Sequence, residues 1–143
     1  ALSKTFSIRL KVRKLGNFIA LMMDPNEQKM QNLASNLVEN LDYFRAPLHQ
    51  EEIDKRRMSN LTTREDKNLL NWGYPYVFND FRFHITLTEK IQCKSEREFM
   101  VSAASSHFSG SLENTVKVSS ISLFVQESSE ADFLQIQQFA LEE

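Results

Sequence analysis

The chain has 143 residues, of which 41% are hydrophobic and 25% charged, and its formal net charge is −2. These values describe a globular chain of one-domain size and exclude an intrinsically disordered chain or a broad basic surface for nucleic acid. The single cysteine, Cys93, excludes an internal disulfide and offers no metal-ligand spacing, and no apolar run is long enough to cross a membrane. We therefore expect a cytoplasmic protein with no membrane association and no metal or other cofactor.

Two strands joined by a turn are predicted at the start of the chain. Apolar side chains alternate with polar ones in the first strand, at Phe6, Ile8, Leu10 and Val12. Gly16 and Asn17 predict the turn, and the continuous apolar run of residues 18–23 predicts a second strand that is covered on both faces. A hairpin is the natural connection between the two strands.

An amphipathic helix is predicted next. Asp24-Pro25-Asn26 provides breaker and capping chemistry, and Pro47 ends the helix. Apolar residues between these points recur at helical spacing, namely Met30, Leu33, Ala34, Leu37, Val38, Leu41 and Phe44. The charged residues 50–58 predict a short exposed helix.

Two further helices are predicted from capping motifs. Thr62 and Glu65 have the spacing of a capping box, which predicts a helix that runs to Trp72 and ends at Gly73. Ser95 and Glu98 have the same spacing and predict a helix that ends near Gly110.

The chain is predicted to close with two strands, at about residues 115–126 and 131–141. The apolar parity of the first of them slips at Ser119-Ser120, which predicts a β-bulge. The order of elements is strand, strand, helices, strand, helix, strand, strand. This order predicts an α+β fold, a mostly antiparallel sheet with helices packed on one side, and we expect residues 1–143 to form a single domain.

The segment Phe81–Thr88 alternates without interruption. One face has Phe81, Phe83, Ile85 and Leu87, and the other has Arg82, His84, Thr86 and Thr88. We expect the apolar face to be buried under the helices, which leaves a polar row with neighbours about 7 Å apart. An imidazole can give or take a proton near neutral pH, a hydroxyl can donate to a phosphoryl oxygen, and a guanidinium can neutralise it.

Each of these candidates also has a plainer interpretation. Any strand with one solvated face shows polar residues outward, and Arg82, a candidate phosphate ligand, equally suits a surface ion pair. Thr88 is either a further phosphate donor or a good strand residue. Tyr74 and Tyr76 are candidates for a substrate rim that stacks on a ring, although packing of their own loop is the commoner role of such aromatics.

The segment FHITLT, which contains His84 and Thr86, resembles the H-x-T motif of the two-histidine (2H) phosphoesterase superfamily. The longer run WGYPYVFNDFRFHITLT, together with LGNFIALMM, LDYFRAPL and ISLFVQ, resembles an uncharacterised family of that superfamily, a domain of unknown function associated with phosphonate-metabolism operons. The resemblance extends from about Phe6 to the end of the chain.

The resemblance implies a two-lobed sheet with a central groove, in which two H-x-T motifs face each other. It implies that one histidine acts as general base and the other as general acid at a phosphodiester, often a 2′,3′-cyclic or related cyclic phosphate. The threonines hold phosphoryl oxygens, and no metal is needed. Residue by residue, the resemblance implies that His84 is the acid or base and that Thr86 is the phosphate donor.

A second H-x-T motif is absent, because His49 is followed by Gln50-Glu51 and His107 by Phe108-Ser109. In the family it would precede Ala1, so we expect either that an N-terminal portion supplies it or that the protein lacks it. With both motifs we expect a metal-independent phosphodiesterase that acts on a small cyclic or linear phosphodiester. With one motif, a non-catalytic phosphate- or nucleotide-binding or assembly domain is the alternative.

RNA is a less favoured partner than a small phosphorylated substrate, because the charge balance argues against a broad RNA surface. The oligomeric state stays open, although an incomplete sheet would leave an edge that can pair with another chain.

Overall fold

The computed structural model describes residues 4–128 and 130–143 and confirms an α+β fold with antiparallel strand pairs. The strands are β1 Phe6–Ile8, β2 Leu10–Leu15, β3 Phe18–Met23, β4 His84–Thr86, β5 Val116–Val118, β6 Ser120–Val125 and β7 Leu134–Ala140. The α-helices are α1 Gln28–Leu41, α2 Gln50–Arg57, α3 Thr63–Trp72, α4 Lys94–His107 and α5 Ser109–Leu112. Short 3-10 helices lie at Asp42–Phe44 and Phe78–Asp80. Across the described ranges, no helix has the length and apolar character that a membrane span requires.

The predicted hairpin is confirmed as β2 and β3, which pair in register from Leu10↔Met23 to Leu15↔Phe18. Gly16 lies in its turn with a φ of 58°, a conformation that glycine adopts without steric cost. The first predicted strand is divided at Arg9, however. Its first part, β1, pairs with β5, whereas β2 pairs with β3, so two sheets share one continuous stretch of chain.

The core lies between the apolar face of these strands and helix α1. Its buried residues are Phe6, Ile8, Leu10, Met23, Met30, Leu33 and Leu141. The predicted helix is therefore confirmed as α1, although the cap before it is not. The helix ends at Leu41, and Phe44, the last apolar position of the predicted pattern, lies in a 3-10 helix and is exposed. Glu27 caps the helix, accepting from the Lys29 backbone N–H at 3.2 Å, while Asp24 forms ion pairs with two cations of β2.

The capping box before α3 is confirmed in both directions. The Thr62 hydroxyl accepts from the Glu65 backbone N–H, and the Glu65 carboxylate accepts from the Thr62 backbone N–H at 2.7 Å. Gly73 ends the helix in the left-handed conformation, with a φ of 76°. The short exposed helix predicted at residues 50–58 is confirmed as α2.

The second predicted capping box is wrong. Helix α4 begins one residue before Ser95, and the Ser95 hydroxyl lies 3.1 Å from the Cys93 sulfur instead of capping the helix. The helix ends at His107, and a short α5 then passes through Gly110. Helix α4 packs against β2 and β3.

The predicted strand at residues 115–126 is two strands, β5 and β6, that belong to different sheets. The parity slip at Ser119-Ser120 marks the passage from one to the other, and the irregularity in register lies at Leu123/Phe124 instead. Strands β6 and β7 form a hairpin that leaves large apolar side chains about half exposed, among them Leu123, Leu134 and Ile136.

Candidate functional site

Strand β4 is the edge of a three-stranded sheet, in the order β2-β3-β4. It pairs with β3 through Met22↔His84 and Ala20↔Thr86, and both His84 and Thr86 are exposed, as the alternation predicted. The regular strand is shorter than the predicted segment 81–88, although the Leu87 backbone N–H extends the pairing by donating to the Ile19 carbonyl at 2.9 Å.

The apolar face of this segment is less buried than the alternation predicted. Phe81 and Phe83 are half-buried against the core, but Ile85 is 45% exposed. An edge strand has a neighbouring strand on one side only, so its side chains stay more exposed to water than those of a central strand. The prediction that the whole apolar set is covered by helices is therefore wrong at Ile85.

The ring of His84 is held in one orientation by its own strand. Its Nδ1 lies 2.8 Å from the backbone carbonyl oxygen of Arg82. Because a carbonyl oxygen can accept but not donate, the proton of the neutral ring must lie on Nδ1 when this bond forms. His84 is exposed, and its Nε2, for which no hydrogen bond with a described residue is found, then has the lone pair that a general base requires.

The two threonines of the segment differ in what their hydroxyls contact. The Thr88 hydroxyl accepts from the Ile19 backbone N–H at 3.1 Å and donates to the Glu89 carbonyl at 2.9 Å, so its single proton is in use. Thr88 thus continues the pairing of β4 with β3, which favours its plainer interpretation as a strand residue. The Thr86 hydroxyl forms no hydrogen bond with any residue between 4 and 128 or between 130 and 143 and can donate to an incoming oxygen.

Arg82 is exposed, and its guanidinium forms no ion pair with a residue that the structure describes. The carboxylate of nearby Asp80 is held by Arg64, whose two donors lie at 2.7 and 2.5 Å, and by the Asn68 amide at 3.2 Å. The hydrogen bonds from Arg64, with a smaller effect of the Arg82 charge, keep the pKa of Asp80 below its usual value. Asp80 therefore stays ionised and ties α3 to the segment that leads into β4.

A second tie fixes the same segment from the other side. Phe78 has a positive φ of 51°, which is uncommon for a bulky residue. Its carbonyl accepts from the Gln31 amide of α1, and its ring packs edge-to-face on Trp72 with centroids 5.1 Å apart. The chain before His84 is thus held by α1 and α3 together.

Tyr74 and Tyr76 form a small exposed aromatic surface of their own. Their rings meet edge-to-face with centroids 5.6 Å apart, on either side of the fully buried Pro75. The Arg56 guanidinium lies 5.0 Å from the centroid of Tyr74. Among the described residues, no hydrogen bond, ion pair or ring contact joins this pair to His84, so its role as a substrate rim stays a prediction.

Strand register brings two cations to the face of His84 that were not predicted to be site residues. In antiparallel pairs, directly opposite residues project from the same face of the sheet. Lys11 pairs with Met22, which pairs with His84, and in the next row Arg13 pairs with Ala20, which pairs with Thr86. The alternation of β2 shows that Lys11 and Arg13 share its polar face, but the register that aligns them with β4 depends on residues far apart in sequence.

The structure shows no arrangement for a metal at this face. Within residues 4–128 and 130–143, no group of three His, Cys, Asp or Glu side chains lies close enough together to hold an ion.

Comparison with known proteins adds a family and two relatives. A family model described as Protein of unknown function (DUF1045) matches residues 1–134. The ribose 1,5-bisphosphate phosphokinase PhnN of Janthinobacterium sp. (strain Marseille) is 39% identical over 82 residues, which cover 57% of this chain and 18% of that protein. The protein of the same name from Laribacter hongkongensis (strain HLHK9) is 31% identical over 129 residues, which cover 90% of this chain and 29% of that protein. The chain thus spans less than a third of either relative, and no solved structure matches it.

Proposed function

We propose a function on the premise that this chain belongs to the DUF1045 family, which is described as a family of proteins of unknown function. The proposal is that the polar face of β4 is one half of a site that hydrolyses or transfers at a small cyclic or linear phosphodiester. His84 is the general acid or base, and Thr86 donates to a phosphoryl oxygen. This is the chemistry that the resemblance to the 2H phosphoesterases implies.

The observation that supports the proposal most strongly is the hydrogen bond from His84 Nδ1 to the Arg82 carbonyl. It leaves Nε2 free to take a proton from an attacking water or hydroxyl group. The attacking oxygen forms a new bond to phosphorus as the ester P–O bond breaks, and the leaving oxygen must be protonated by a second acid. The H-x-T motif occurs once in this sequence, and we propose that the second acid is the histidine of a further H-x-T motif in the natural polypeptide.

An association with phosphonate metabolism is supported by the family match and by the PhnN name of both relatives. Those relatives are named for a kinase that acts on ribose 1,5-bisphosphate, a small sugar phosphate. A small phosphorylated substrate is in keeping with the small number of polar side chains that β4 presents, since the regular strand is three residues long.

The test uses the natural polypeptide that contains this chain and a panel of 2′,3′-cyclic nucleotides and sugar cyclic phosphates. His84→Ala should lower kcat about 100-fold or more, because a positioned general acid or base typically contributes that much. Thr86→Val, which removes the donor and keeps the shape, should also lower kcat/KM. The other two histidines, His49 and His107, are exposed and are not part of an H-x-T motif, so alanine variants there are matched controls.

Turnover of a cyclic phosphate that survives His84→Ala unchanged would contradict the catalytic proposal. A second candidate function, a non-catalytic phosphate- or nucleotide-binding domain, is favoured by the single H-x-T motif. It predicts that calorimetry detects binding of a cyclic nucleotide, that His84→Ala weakens this binding, and that the complete protein shows no turnover on the panel.

A further inference from the structure

The face of the sheet that presents His84 and Thr86 has more positive charge than β4 alone supplies. Lys11 and Arg13 lie two strands away on the same face, in the rows of His84 and Thr86 respectively. Two strand spacings place their backbones about 10 Å from those of His84 and Thr86. Both are long side chains, and the positions between them and β4 are occupied by Met22 and Ala20, neither of which is charged.

The structure shows how these cations bind an anion. A single carboxylate oxygen, Asp24 Oδ2, lies 2.6 Å from Lys11 Nζ and 3.0 Å from Arg13 Nη2. The Asp24 backbone N–H donates to the Arg9 carbonyl at 3.0 Å, which fixes the start of this side chain beside β2. One anionic oxygen is thus already held by both cations, in the manner that a phosphoryl oxygen would be.

The contact with Asp24 leaves both cations accessible to a further anion. Their side chains remain 61% and 51% exposed, whereas that of Asp24 is 26% exposed. Two positive charges face one negative charge, so the cluster keeps a net positive charge. An exposed ion pair of this kind adds little stability by itself, and water already competes for both of its cations.

We propose that Lys11 and Arg13 form a second anion subsite, which holds a further phosphate group of a substrate whose phosphodiester lies over His84 and Thr86. The inference rests on the proposed function and deepens it by naming a substrate class, small phosphodiesters that also have a phosphomonoester. Asp24 occupies the subsite in the absence of substrate and gives up the two cations when the second phosphate binds.

The experiment compares a probe with two phosphates and a probe with one, fructose 1,6-bisphosphate and fructose 6-phosphate, by calorimetry at low ionic strength. The wild-type protein should bind the bisphosphate with a Kd about tenfold lower or more, because a single charge-assisted hydrogen bond is strong enough to produce a tenfold difference in affinity. The double variant Lys11→Gln/Arg13→Gln should lose that preference. Asp24→Asn should bind the bisphosphate more tightly than wild type, a gain that a purely structural ion pair does not predict.

Lys14→Gln is the matched control, because Lys14 lies on the same strand, is exposed, and points to the opposite face. It removes one positive charge, as each substitution of the double variant does, and should keep the preference. The inference is overturned if the double variant keeps the preference, if Lys14→Gln loses it equally, or if the wild-type protein binds neither probe. The two proposals fail separately, because His84→Ala is judged by turnover and the Lys11/Arg13 variant by the ratio of two affinities.

Discussion

The ion pair between Asp80 and Arg64 fixes the segment that leads into His84, and its strength can be measured. Arg64 donates two hydrogen bonds to the Asp80 carboxylate, at 2.7 and 2.5 Å, and Asn68 donates a third at 3.2 Å. The side chain of Asp80 is 11% exposed and that of Arg64 is 63% exposed. Asp80→Asn keeps the shape and one acceptor oxygen but removes the charge.

We expect Asp80→Asn to lower the free energy of unfolding by about 1 kcal/mol at pH 7. Hydrogen bonds to charged groups are worth about 1.5–3 kcal/mol, and the solvent exposure of Arg64 places this pair below that range. Because the pKa of Asp80 is lowered in the folded state, the pair stabilises the protein fully above the unfolded pKa of about 3.9. That stabilisation is lost as the pH falls through the folded pKa, so the difference between wild type and variant should shrink towards zero below that value.

The assay is urea unfolding followed by the fluorescence of Trp72, the single tryptophan, whose ring packs against Phe78 two residues before Asp80. With an m-value of about 2 kcal/mol/M, the expected loss moves the midpoint by about 0.5 M at pH 7. Asp132→Asn is the control, since Asp132 is exposed and pairs with no residue that the structure describes. An equal midpoint at pH 7, or a difference that persists undiminished at pH 2.5, would refute the reasoning.

Two further predictions test local features of the fold. Gly73→Ala should lower the free energy of unfolding by about 1 kcal/mol more than Gly16→Ala. Both glycines have a positive φ, so the difference comes from the space around them. A Cβ added at Gly73 would lie 2.7 Å from Arg45 Cδ, whereas a Cβ added at Gly16 meets nothing within 4 Å. Equal midpoints in urea would contradict this. The hydrogen bond with Ser95 is the main reason that the pKa of Cys93 is lowered, so Ser95→Ala should slow alkylation of Cys93 by iodoacetamide at pH 7.5, with rates converging at pH 10. A slowing that persists at pH 10 would point to access instead.

The features that could be predicted from sequence are those whose physical cause lies within a few residues. The capping box of Thr62 and Glu65 is closed by two hydrogen bonds that span three residues, so spacing alone predicts it. The left-handed end of α3 at Gly73 depends on one residue type at one position. The hairpin of β2 and β3 depends on two apolar runs around a two-residue turn.

The wrong predictions concern features in which a distant or competing partner decides. Ser95 has the spacing of a helix cap, but its hydroxyl forms a hydrogen bond with the Cys93 sulfur two residues earlier. Ile85 has the parity of a core residue, yet it is 45% exposed because its strand lies at the edge of a sheet. The bulge predicted at Ser119-Ser120 is wrong, because the chain passes there from β5 to β6, and a sequence does not show that these two strands pair with different partners.

The same distinction applies to the candidate site, where features within one strand could be predicted and features that depend on strand pairing could not. Alternation is a property of one strand, so it placed Arg82, His84 and Thr86 together on an exposed face. The tautomer of His84 is set by a hydrogen bond to the backbone carbonyl two residues earlier, and a sequence does not show that this carbonyl lies within reach of the ring. Which cations share that face depends on the register of three strands, of which β2 and β3 are adjacent in sequence and β4 begins about 60 positions later. A basic residue on a strand is therefore weak evidence for a site until the register shows what lies beside it. Here the register places Lys11 and Arg13 of β2 on the same face of the sheet as the H-x-T motif of β4. The positive charge of β2 therefore supports a substrate that binds at β4 and has a second phosphate.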